Sequence, residues 1–130
     1  MQEDLGKLVL RVMVAGLIMA HGVHKLLTGI SGIEAMLAAH NLPAMLGYGV
    51  YLGEIVAPAM VLLGLFARVG ALLIAVNMIV AVALAGMDRI AMLNPMGGYA
   101  LELEAAFLLG AIAIALMGPG RISIAGGRWN

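Results

Sequence analysis

The chain predicts an all-α fold: an integral membrane four-helix bundle with a short interfacial helix between its first two spans. Three observations carry that expectation. Of the 130 residues, 64% are hydrophobic and 11% charged, too few charges to clothe a soluble domain. Apolar runs of roughly twenty residues recur, the length that crosses about 30 Å of hydrocarbon. The runs are continuous in Ala, Leu, Val, Ile and Met, whereas barrel strands alternate over about ten residues. The length suggests one transmembrane domain, residues 1–130.

Composition also excludes functions. Zero net charge and the absence of a basic run set nucleic acid aside as a partner. Without cysteine the chain forms no disulfide, performs no dithiol chemistry and holds no thiolate-bound metal; no metal site is expected. The start, Met-Gln-Glu-Asp, is acidic, and the apolar run behind it ends in His21-Gly22-Val23-His24-Lys25 instead of a small-residue cleavage site. This run is expected to be retained as the first span.

Span one covers about 5–27, with Lys7 and Arg11 near its start. Thr28-Gly29-Ile30-Ser31-Gly32 breaks it. Ser31 followed by Glu34 has the form of a capping box, and the helix it would open, about 31–41, is too short to span. With Ile33, Met36, Leu37 and His40 on one side, it reads as an amphipathic helix at the interface. Span two, about 44–66, contains Glu54 and Pro58; span three, about 67–87, contains Arg68 and Asn77. The very short connection at Ala67-Arg68 makes them antiparallel neighbours. Asp88 to Gly98 is a loop rich in turn formers. Span four, about 99–117, carries Glu102 and Glu104, and Gly118-Pro119-Gly120 ends it.

Lys7, Arg11, Arg68, Arg121 and Arg128 fall on the side of the termini, against Lys25 and Arg89 on the other. The excess predicts both termini in the cytoplasm, with these arginines as topology determinants. A faint repeat accompanies this: Arg11 and Arg68 each precede a polar residue (His21, Asn77) and then a helix with a glutamate (Glu54, Glu102). That pattern fits a parallel duplication of two hairpins.

The polar residues inside the spans carry the functional signal. On a helix advancing about 100° per residue, His21, His24 and Lys25 share a face within about 100°. Counted at about 1.5 Å per residue from the extracytoplasmic ends, His21, Glu54, Asn77 and Glu102 all fall in one half of the bilayer. An ionised group at that depth costs at least about 2.5–3.5 kcal/mol, so these side chains should face one another or a wet cavity. Depth pairs Glu54 with His21 or Asn77, and Glu102 with Lys25. Pro58 frees the carbonyl of Glu54 and should kink the helix there. Glu102 and Glu104 lie 200° apart; Ala105, Ala106 and Ala113 beside Glu102 suggest that Glu102 faces inward and Glu104 the interface. The expected ligand-binding residues are therefore His21, Lys25, Glu54, Asn77, Glu102 and His24. The plainer alternatives are interfacial anchoring for His24 and a register-fixing ion pair for His21 and Glu54.

These residues bear a resemblance. His21-Gly22-Val23-His24-Lys25-Leu26 resembles the HGxxKL segment that closes the first span of the DoxX family. The Glu54 helix running into Leu62-Leu63-Gly64-Leu65-Phe66-Ala67-Arg68 is similar to that family's second span and turn. Gly118-Pro119-Gly120-Arg121-Ile122-Ser123-Ile124 is similar to its GPGRxSL ending. The resemblance covers essentially the whole chain and implies a four-span protein of the bacterial inner membrane. Some relatives are membrane subunits of a thiosulfate:quinone oxidoreductase; others associate with a superoxide dismutase and a sulfurtransferase.

Three functions compete. The first is a subunit of a quinone-linked redox system, sulfur- or oxidative-stress-related, in which His21 or His24 with Glu54 binds a quinone and moves its protons. Haem is a weaker variant, because His21 and His24 share one helix. The second is a small-solute or proton pathway through Glu54 and Asn77. The third is a non-catalytic anchor or assembly factor for soluble redox partners. The lipid bilayer is a partner in all three, and a homo-oligomer is compatible with each.

Overall fold

Apolar stretches in this sequence end where a residue can satisfy or break the helical backbone, and the elements follow those points. The computed structural model describes residues 1–125; Arg128, counted above on the terminal side, lies outside them. Helix α1 is Gln2–Thr28 and α2 is Ser31–Ala39. A 3-10 turn Ala44–Tyr48, the short α3 Gly49–Tyr51, a π-helical turn Leu52–Val56 and α4 Ala57–Leu63 together form one apolar segment, Ala44–Leu63. Helix α5 is Ala67–Ala85, a 3-10 turn follows at Met87–Arg89, and α6 is Glu102–Met117. Among the described residues there is no strand, only a single bridge pair, Leu93 with Tyr99.

Three of these, α1, Ala44–Leu63 and α5, are long and apolar enough to cross a membrane. The fourth long helix has 16 residues, about 24 Å at 1.5 Å per residue. It starts later than the expected residue 99 because the loop claims the first three positions. There Tyr99 Oη donates to the Ile90 carbonyl at 2.5 Å and Ala100 N–H to Met92 O at 3.0 Å. Helix α2 also departs from expectation at its start. Ile30 is the N-cap and no side chain caps the helix, so the anticipated Ser31–Glu34 capping box does not form.

The second segment ends at Leu63 rather than Phe66, because Gly64 takes φ 71°. Leu65 N–H then reaches back to Met60 O at 2.9 Å and Gly64 N–H to Val61 O at 3.2 Å, a Schellman ending. The last two carbonyls of α4 find partners far away in sequence. Arg11 Nη2 donates to Leu62 O at 2.7 Å, and Ile124 N–H donates to Leu63 O at 2.9 Å. Arg11 Nε also donates to Val61 O at 2.8 Å, and Nη1 to Pro119 O and Ile122 O at 3.0 and 2.6 Å. All four terminal carbonyls of α4 are thereby satisfied, as an apolar surrounding demands. Arg11 was expected as a topology determinant. It is 1% exposed and bonded to backbone carbonyls of α4 and of the chain beyond α6.

One apolar core runs through the long helices. Val14 and Ile18 of α1 meet Ala57 and Val61 of α4, Ala71, Ile74 and Met78 of α5, and Phe107, Ala111 and Ile114 of α6.

Candidate functional site

The site begins with the helical irregularity at Glu54. Pro58 has no N–H to offer the Glu54 carbonyl four residues back. The backbone answers with the π turn, Ala57 N–H bonding to Leu52 O. Such a turn re-aims the side chains in it, and Glu54 is 4% exposed. Gly22 of α1 lies directly against the Glu54 carbonyl, leaving no room there for a Cβ. This close approach sets residues 51–54 level with 22–25, as the bond from Tyr51 Oη to Lys25 O at 3.3 Å also records.

The ammonium of Lys25 donates to Glu54 Oε2 at 2.5 Å. The expected pairings, Glu54 with His21 or Asn77 and Glu102 with Lys25, are thus replaced by Lys25 with Glu54. Counting from Ala44 missed this register, because the Gly22 contact sets the Glu54 backbone one helical turn from Lys25. The long lysine stem reaches the buried carboxylate from the end of α1.

Around this pair lies a half-open cavity of about 690 Å³. His21 and Lys25 line it from α1, Glu54 from the π turn, Asn77 from α5, and Glu104 with Phe107 from α6. The His21 ring meets Phe107 edge-on at 6.3 Å between centroids. Gly53 lets Asn77 come close: a Cβ there would sit 2.6 Å from Asn77 Cγ. Apolar side chains complete the walls, among them Met36 and Leu37 of α2 and Val76, Val80 and Leu84 of α5.

Of the six residues expected at the site, the structure gathers His21, Lys25, Glu54 and Asn77 around one cavity and leaves His24 and Glu102 outside it. His24 is exposed, because its position 100° from Lys25 turns it off the cavity face. Glu102 is exposed and faces the loop, where its Oε1 accepts from Asn94 Nδ2 at 3.4 Å. The inward carboxylate of α6 is Glu104, the reverse of the expected assignment. Small residues beside Glu102 suggested the packing face, yet the buried stripe is Leu101, Phe107, Ala111 and Ile114, on the side of Glu104. Gly110 of that stripe abuts Val14, and a glycine in line with large apolar residues was the available signal.

The family model described as DoxX matches residues 6–87, more than half of the chain. The chain belongs to the DoxX family. No curated protein and no solved structure matched. As a DoxX family membrane protein with apolar helices of spanning length, it places its α1 and π-turn site residues, His21, Lys25 and Glu54, inside the matched region, together with Asn77. The residues of α6 and the Gly118-Pro119-Gly120 turn lie beyond it.

Proposed function

We propose that this DoxX protein is the membrane subunit of a quinone-linked redox system, and that the cavity is where the quinone head sits. In this reading α6 completes a four-span bundle, α2 lies at the interface, and both termini are cytoplasmic in a bacterial inner membrane, following the excess of basic residues on their side. The cavity itself carries the reading. Its volume, about 690 Å³, falls in the range of small-molecule sites, and its few polar groups converge within apolar walls. That suits a polar ring attached to an apolar tail.

A bound quinone would supply two-electron, two-proton chemistry. The residues of this chain hold and orient. The His21 ring can donate to a ligand oxygen, its edge contact with Phe107 fixing the ring plane. The Asn77 amide offers a donor and an acceptor. Lys25 pairs with Glu54 beside them, and the walls of α5 exclude water from the tail. With no thiol of its own, the subunit would receive electrons from a soluble redox partner. A solute pathway fits less well, because Arg11 and the segment after α6 cover the opposite end of the helices.

The protein purified from native membranes and extracted with organic solvent should yield a quinone by mass spectrometry at close to one per chain. His21→Ala and Asn77→Ala should each weaken binding of a short-chain quinone by about five- to thirtyfold, the loss of one hydrogen bond to the ligand. No co-purifying quinone, together with no saturable binding of the analogue, overturns the reading.

A further inference from the structure

Glu104 faces two cavities. Besides the main one it lines a second, of about 170 Å³, beneath the loop that follows α5, together with Ile90, Tyr99 and Leu108. Met78 and Glu104 border both, so these two side chains form the partition. Met78 is a buried thioether with no proton to exchange. Glu104 is half-buried, and among the described residues no group hydrogen-bonds or ion-pairs with its carboxylate. Its carboxylate therefore stands between the chambers with no fixed partner.

The groups around it complete the argument. From α1, His21 and Lys25 face the main cavity, and from the π turn Glu54 does. Lys25 is engaged by Glu54, so its charge is not available to Glu104. Helix α5 contributes Asn77 and no titratable group, the loop contributes Tyr99, and Glu102 on the same helix turns away to Asn94. An unpaired carboxylate in an apolar partition, with a histidine on one side and the loop surface on the other, is placed to take up and release protons.

We propose that Glu104 exchanges protons between the main cavity and the second cavity, connecting the ligand site to water at the loop end. The inference rests on the reading that the main cavity holds a ligand that gains and loses protons. In the outward step an O–H bond at a ligand oxygen breaks and one forms at a Glu104 carboxylate oxygen. Turned into the second cavity, the acid gives that proton to water. The residue carries no electrons, and the reverse sequence supplies a proton inward.

The test uses the full chain in liposomes with a hydrophobic carbodiimide, which modifies protonated carboxyl groups, read out by peptide mass spectrometry across pH. Glu104 should be modified, and Glu54, whose carboxylate is engaged by Lys25, at least about tenfold less. A short-chain quinone should slow the modification of Glu104. Glu104→Asp should keep the modification and Glu104→Gln abolish it. Absence of modification at Glu104 at every pH, or modification unslowed by a short-chain quinone that the protein does bind, overturns the proposal. Failure of the wild type to bind the analogue while Glu104 is still modified would instead refute the quinone reading, and the placement of the carboxylate between the two chambers would stand.

Discussion

A half-buried ammonium against a nearly fully buried carboxylate is worth little as net stability, because desolvating two charges consumes most of their attraction. Its consequence lies in what happens when one partner is removed. Glu54 has 5% of its side chain exposed against 29% for Lys25, so Lys25→Ala strands a carboxylate with little water to receive it. That change should destabilise the protein by about 3–5 kcal/mol, whereas the apolar double variant Lys25→Met/Glu54→Leu should recover most of the loss. Unfolding by denaturing detergent in mixed micelles measures both. A double variant as unstable as the single one would mean that the pair is not what Lys25 contributes.

At the scale of elements, the site exists because two helices approach at glycines. A Cβ on Gly22 would collide with the Glu54 carbonyl, a backbone atom that cannot step aside. A Cβ on Gly53 would meet the Asn77 side chain, which can rotate. Gly22→Ala should therefore cost about 1–3 kcal/mol and pull α1 off the π turn, as overpacked contacts do. Gly53→Ala should cost less stability yet displace Asn77 and weaken ligand binding. Detergent unfolding and analogue titration separate the two, and equal stability losses would contradict the distinction. These contacts also mark how much of the site was legible beforehand. The helices, the break at Glu54 and the four cavity residues His21, Lys25, Glu54 and Asn77 follow from apolar length, Pro58 and helical phase, which are local properties. The Lys25–Glu54 pairing and the inward turn of Glu104 depend on where α1 meets the π turn and which stripe of α6 packs. Those are fixed by tertiary register, which counting residues from a helix end does not supply. The same reason hid Arg11, whose partners lie 50 to 111 positions away.

Across the whole molecule the two ends are built differently. One is open around the cavity, and the other is closed by the chain after α6. That closing segment turns at Gly118 and Gly120, both at positive φ (78° and 79°). Ser123 Oγ donates to Gly120 O at 3.1 Å, Asp4 Oδ1 accepts Arg121 N–H at 3.0 Å, and Ser123 packs on Gly64. Arg11 joins this segment to α4, its charge compensated by four carbonyls, two of them at the negative end of the α4 dipole. The planar fork reaches all four at once, which a lysine ammonium with three donors on one nitrogen does not. Arg11→Lys should therefore orphan about two carbonyls and cost about 2–4 kcal/mol. Truncation after Gly118 removes Pro119 O and Ile122 O from the other side of the same network and should cost a similar amount. Because both changes dismantle one set of bonds, their combination should exceed the larger single loss by less than about 1 kcal/mol. Detergent-unfolding midpoints for the four proteins of this cycle give the coupling directly. Fully additive losses would show that Arg11 and the closing segment stabilise the end independently, and that the closure is not a single latch.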